Sequence, residues 1–231
     1  MKKRICTLLL ALCLTLGLLP AAAQAAGDGS GTFDTVRWTL DADGGLTVSG
    51  TGDLPDGAFA GRTDIVTVTF TGQVARIGRS AFAGCTQLRR VDGFGAVTCV
   101  MSQAFAGCTA LTELPLPDDV AWVEPRLCEN CTALQNIVLP AAMTEVPRGL
   151  LRGCTGLRRV TLQGAVTAVG NGAFAGCDAL ADVYFTGTRA QWDAVAVGAN
   201  NARLTAAAVH LSAPAHTYPE AVSYTHLTLP T

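Results

Sequence analysis

Seven cysteines lie between residues 85 and 177, and five of them, Cys85, Cys108, Cys131, Cys154 and Cys177, follow one another at a constant step of 23 residues. Cys99 and Cys128 complete the set. Thiols at such spacing invite two chemistries, disulfide bonding and metal ligation. Seven is odd, so at least one thiol lacks an intrachain partner. Neighbours in a stack would sit about 4.8 Å apart, inside the Cα range of a disulfide, but parallel side chains point the same way and a torsion near ~90° would break the regularity. Cysteine is a good small core residue, so buried free thiols are expected. Cys128-Glu129-Asn130-Cys131 is a lone C-x-x-C where zinc wants four ligands, and Cys131 already belongs to the ladder. The histidines, His210, His216 and His226, pair with no recognisable nucleophile and acid. His210 and His216 are expected to be solvated, and Asp118, Asp119 and Glu145 to be ordinary surface charges. The glycines keep register and form no phosphate-binding loop. No catalytic residue, no metal and no cofactor is therefore expected, and the chain does not read as an enzyme.

The elements that carry the ladder are repeats. Ala81-Phe82-Ala83-Gly84-Cys85, Ala104-Phe105-Ala106-Gly107-Cys108 and Ala173-Phe174-Ala175-Gly176-Cys177 are near copies, and Ala58-Phe59-Ala60-Gly61-Arg62 opens the series with arginine in the cysteine place. Leu88, Leu111, Leu134, Leu157 and Leu180 keep the same step, as do Val91, Leu114, Ile137, Val160 and Val183. Further columns run through Phe70, Gly93, Leu116, Leu139, Leu162 and Phe185, and through Val74 and Ile77 with their equivalents. A single coil cannot bury its own apolar face, so such columns fill the inside of a stack. The fold class expected is a mainly-β repeat solenoid of leucine-rich-repeat type, with six 23-residue coils. The L-x-x-V segment should form one parallel strand per coil and the Val74–Ile77 columns a second. The A-F-x-G-C segment between coils should be a tight turn in which glycine supplies an unusual φ.

Ile77-Gly78-Arg79-Ser80-Ala81-Phe82-Ala83-Gly84-Cys85-Thr86-Gln87-Leu88 and Val169-Gly170-Asn171-Gly172-Ala173-Phe174-Ala175-Gly176-Cys177-Asp178-Ala179-Leu180 carry the pattern I-G-x-x-A-F-x-G-C-x-x-L. In this the chain resembles the BspA-type leucine-rich repeat proteins of bacterial surfaces, from about Gly57 to Phe185. It departs from them at Cys128 and Leu151, which stand where phenylalanine is usual. The resemblance implies a surface protein that works in adhesion.

The ends read differently. Residues 1–25 have a basic start, an apolar run from Ile5 to Leu19 and an Ala23-Gln24-Ala25 cleavage pattern, which is the make-up of a secretory signal peptide. Cys13 lies inside the apolar run, not at its end, so lipidation there is not expected. Residues 33–55 read as an N-terminal β-hairpin cap around Asp41–Gly45, 56–185 as the solenoid, and 186–212 as a C-terminal helix/strand cap with Thr188 as N-cap. Residues 213–221 read as a linker, and 222–231 back-translate to an in-frame sequencing adaptor, so the gene is expected to continue beyond Ala221.

Function is then expected on outward side chains. The candidate binding face comprises Arg90, Asp92, Phe94, Glu113, Asn136, Arg159, Thr161, Asp182 and Tyr184, with Trp122 as a candidate exposed anchor. Trp38 and Trp192 are expected to pack in the caps. Losing the signal segment removes three of 16 positive charges and leaves 13 arginines against 18 acidic residues. That balance, with no basic stripe, argues against nucleic acid. No later segment has the ~18 apolar residues needed to span a membrane. The expected partner is a protein or glycan on host or microbial surfaces, met by a secreted or surface-attached monomer. The alternative is a structural spacer in a larger surface protein or secreted enzyme.

Overall fold

The computed structural model describes residues 29–120 and 122–211; the expected signal peptide, linker and adaptor-like tail lie outside them. Each repeat makes one coil with a turn side and two strand sides. Coils 1 to 6 are counted here from their turns at Ala58, Ala81, Ala104, Leu127, Leu150 and Ala173.

On the turn side, Gly61, Gly84, Gly107, Gly153 and Gly176 hold φ between 72° and 75°, and Asn130 fills the same column at 62°. Left-handed backbone suits glycine and is tolerated by asparagine, so the turn keeps its shape in the one coil that lacks glycine. Its amides point along the stack. Phe59, Phe82, Phe105, Cys128 and Leu151 each donate an N–H to a carbonyl of the next coil at 2.7–3.0 Å, and Gly61, Gly84, Gly107, Asn130 and Gly153 do the same at 2.7–2.8 Å. This ladder runs unbroken through all six coils.

Inside, the apolar columns are buried except at Val123, which is half-buried, and at Gly93, which is exposed. Phe59, Phe82 and Phe105 stack at centroid distances of 5.4 and 5.3 Å, and the stack stops where Cys128 and Leu151 replace phenylalanine. The cysteine column is buried beside it. Each thiol donates to a carbonyl of the coil before: Cys85 to Phe59, Cys108 to Phe82, Cys131 to Phe105, Cys154 to Cys128 and Cys177 to Leu151, at 3.0–3.1 Å. All seven cysteines of the described residues are free thiols.

The strand sides are parallel ladders at a 23-residue step, as in Thr67↔Arg90 and Arg159↔Asp182. On the first side, β3 (Gly45–Leu54), β4 (Thr67–Phe70) and β6 (Arg90–Asp92) form one group. The second group is β9 (Asn136–Val138), β11 (Arg159–Leu162), β13 (Asp182–Phe185) and β15 (Ala208–Leu211). Coil 3 supplies no strand between them, contrary to expectation. On the second side, β5 (Gln73–Ile77), β7 (Cys99–Val100) and β8 (Trp122–Val123) continue from the far end of β3. A separate set follows, β10 (Glu145–Val146), β12 (Ala168–Val169) and β14 (Ala196–Val197).

Proline accounts for both breaks. On the second side Met101, Glu124 and Gly170 each donate to a carbonyl 24 residues back, namely Ile77, Val100 and Val146. The column member between Glu124 and Gly170 is Pro147, which has no N–H for Val123. On the first side the same 24-residue step, seen in Thr186 to Leu162 at 3.1 Å, would require donors at Pro115, Pro117 and Pro140.

The ends close the stack. β2 (Val36–Leu40) pairs antiparallel with β3 around the expected Asp41–Gly45 turn, and β1 (Ser30–Phe33) adds a strand that the pattern did not announce. Buried Trp38 meets Phe59 edge-on at 5.5 Å, and the Arg62 guanidinium, bonded to Asp64, lies 5.7 Å over the indole. Beyond coil 6 the cap does more than cover. After α1 (Arg189–Asp193), held by the Thr188–Gln191 capping box, and α2 (Ala202–Ala206), β15 continues the ladder, giving about seven turns. Buried Asn201 stands in for the turn of a seventh coil, its Oδ1 accepting the Phe174 amide at 3.0 Å and its Nδ2 donating to Gly170 and Gly198. Trp192 packs on Phe185 at 5.4 Å.

Candidate binding surfaces

The proline break divides the predicted face. Arg90 and Asp92 lie on the first group of strands and bond to each other at 2.8 Å. Glu113 is exposed in the strandless stretch of coil 3. Asn136, Arg159 and Asp182 follow in register on the second group, and Thr161 lies beside Tyr184.

Phe94 does not belong to the face. It is 4% exposed, packed 5.6 Å from Phe70 and 6.3 Å from Phe105. The cause is Gly93, expected inside, which is exposed at φ 79° with the Phe70 carbonyl only 2.0 Å from where a Cβ would stand. The chain turns one residue early and Phe94 takes the core place. Gln163 and Pro140, also outward in the alternating pattern, are buried; the Gln163 amide donates to the Leu139 carbonyl at 3.2 Å.

The second group carries a built cluster. The Arg159 guanidinium lies 5.1 Å over the Tyr184 ring. His210 stacks on the other neighbour position at 4.7 Å and 21°, and its Nε2 donates to Asp182 at 2.7 Å. Four side chains from three strands thus hold one another at a partly solvated surface. His210 was missed because the C-terminal cap strand pairs at a 26-residue step, Asp182↔Ala208 and Tyr184↔His210, where the repeats before it on this side, from Thr67 to Asp182, keep 23. Only the wording around Val209 hinted at a strand.

The second strand side has a different feature. Trp122 is 60% exposed and borders a groove of about 650 Å³ that also takes in Val123, Met143, Glu145, Arg148 and Asn171. Glu145, read from the sequence as an ordinary surface charge, is part of this wall.

Five of the seven thiols are held in the protonated form. Burial pushes Cys85 and Cys177 up to about 12 from 9.0 and raises Cys108 and Cys154 too; a thiol hydrogen bond with Cys131, then burial, raises Cys128. A protonated buried thiol is a poor nucleophile and a poor metal ligand. Among the described residues no group of three or more His, Cys, Asp or Glu is placed to hold a metal.

Stacked parallel coils around one apolar interior, with a strand and a turn in each, define a leucine-rich-repeat solenoid. Residues 52–181 match the BspA type leucine rich repeat region in six copies, and the chain belongs to that family. No curated protein matches it. Among solved structures it is similar to the leucine rich repeat protein TpLRR of T. pallidum, at 24% identity and TM-score 0.54 over 67% of this chain and 85% of that one. A leucine-rich repeat protein from Eubacterium ventriosum shares 22% identity at TM-score 0.56, over 67% of this chain and 42% of the other. The pneumococcal vaccine antigen PcpA shares 13% identity at TM-score 0.55, over 81% and 48%. The likeness is one of fold, and the chain spans less than half the length of the last two.

Proposed function

We propose that the chain is an exported recognition module without catalysis of its own, which holds a protein partner against the strand face of its C-terminal half. The observation that carries this reading is the Arg159–Tyr184–His210–Asp182 cluster. Arginine and tyrosine are the side chains that most often dominate protein interfaces, and here their rotamers are already restrained before any partner arrives. Neighbouring Thr161 on β11 and Asn136 on the adjoining β9 extend the surface within the same group of strands. Export is supported by the basic, apolar and small-residue order of the first 25 residues. No helix among the described residues is long and apolar enough to cross a membrane.

The test presents the purified chain to immobilised extracellular-matrix and cell-envelope proteins. R159A/Y184A should weaken the strongest capture by about tenfold or more, the loss expected for removing a hot spot. R90A, on the other group of strands, should leave it within about twofold. Equal capture by wild type and R159A/Y184A would sink the reading.

A further inference from the structure

The groove beside Trp122 has a chemistry of its own. Three successive coils build it, coil 3 with Trp122 and Val123, coil 4 with Met143, Glu145 and Arg148, and coil 5 with Asn171. It lies where Pro147 cannot donate to Val123, so the Val123 carbonyl has no backbone donor among the described residues. Trp122 and Val197 are the large apolar side chains left exposed among those residues, and Trp122 is much the more exposed. A bare indole on a regular strand is a standing loss of hydrophobic stabilisation unless something covers it.

The polar part of the wall is unspent. Arg79, Arg126 and Arg152 all lie near carboxylates at 3.5–4.0 Å, yet Glu145 and Arg148 form no ion pair among the described residues. The Asn171 Oδ1 accepts the Ala199 amide at 2.9 Å, and its NH2 has no partner among the described residues. The site therefore offers one flat apolar plate, acceptors in the Glu145 carboxylate and the Val123 carbonyl, and donors in the Arg148 guanidinium and the Asn171 amide. Its charged side chains cancel. A polyanion would meet Glu145 and a polycation Arg148, so neither suits it.

A sugar ring suits it. A pyranose has an apolar C–H face and an edge of hydroxyls, each of which both donates and accepts. We propose that this groove binds a neutral saccharide, with a ring packed on Trp122 and its hydroxyls shared among Glu145, Arg148 and Asn171. The space of about 650 Å³ lies within the range of small-molecule pockets and admits roughly two rings. The proposal stands apart from the strand-face reading, since none of its residues lies on β11, β13 or β15.

The experiment uses the full chain with cellotetraose, maltotetraose, mannotetraose and chitotetraose as probes, followed by calorimetry and by tryptophan fluorescence. Tetragalacturonate and a proline-rich peptide serve as the anionic and peptidic arms. At least one neutral probe should bind with Kd between ~10 µM and ~1 mM, weakened about tenfold or more by W122A, largely restored in W122F and reduced several-fold by R148A. Y184A should leave sugar binding unchanged, so this site and the strand face can fail separately. W122A removes an exposed side chain and should melt with the wild type; should it not, the W122F and R148A results decide. Absence of binding by every neutral probe at about 10 mM overturns the proposal, as does binding indifferent to W122A. Tighter, Trp122-dependent binding of the uronate or the peptide would overturn it too.

Discussion

Coils 3 and 4 are made from the same 23-residue unit as their neighbours, yet the neighbours pair their strands and these two do not pair with each other. On either side, Thr67↔Arg90 and Arg159↔Asp182 continue regular ladders. In the middle, Pro115, Pro117, Pro140 and Pro147 occupy four of the donor positions. The turn side does not register the change, since Phe105 still donates to Leu127 at 3.0 Å and Gly107 to Glu129 at 2.7 Å. The interior registers it little, since Val120, Met143 and Val146 are buried and only Val123, at the break, is half-buried. The stack therefore rests on its apolar columns and one seam of turn amides, and strand pairing can be given up locally. Both candidate surfaces follow from that freedom. The break isolates the Arg159–His210 cluster on its own group of strands and opens the groove at Trp122.

The largest expected effect contrasts the aromatic stack with the coil that interrupts it. Phe82→Ala removes a ring from between two others and should cost about 3–5 kcal/mol in chemical denaturation. Cys128→Ala, in the same column of coil 4, removes one sulfur and should cost on the order of 1 kcal/mol. Equal losses would mean that the two regions are packed alike.

The thiol column crosses both regions and has a pH signature. Cys85 and Cys177 sit at about 12 when folded against 9.0 in an open chain, both because burial disfavours the thiolate. A pKa raised by folding gives stability that is complete below pH 9 and is lost as pH rises from 9 through 12. Each such thiol should lower stability by at most ~1.4 kcal/mol per pH unit in that window. A melting temperature flat from pH 8 to about 11.5 would contradict buried, protonated thiols. Native labelling should reach half-buried Cys99 long before any ladder member.

A smaller effect probes the break itself. P147M supplies the missing donor, so its new amide should exchange with solvent as slowly as those of Met101, Glu124 and Gly170. Net stability should change by less than about 1 kcal/mol, because the added hydrogen bond is offset by a freer unfolded chain. Fast exchange at that amide would show that proline is not what parts the strands.

The 23-residue columns made the solenoid legible in the sequence, with its inward positions and the turn glycines, because side-chain packing repeats with the residues that do it. Three features were hidden for physical reasons. At Phe94 a backbone turn at Gly93 overrides strand alternation, and the only signal was glycine in an apolar column with phenylalanine next to it. At His210 a 26-residue step breaks the ruler that places the six repeats. At Glu145 and Arg148 the groove depends on which amides are missing, so prolines counted column by column would have pointed to it.

Amide hydrogen exchange on the native chain tests most directly whether the stack is carried by core and turns across unpaired strands. The amides of Phe105, Gly107 and Asn130 on the turn side should exchange as slowly as the strand amides of Val68 and Val160. Glu113 and Leu114, outside any strand, should exchange on the order of a hundredfold faster or more. Protection of Glu113 and Leu114 equal to that of Val68, or loss of protection at Phe105 and Gly107, would contradict the account.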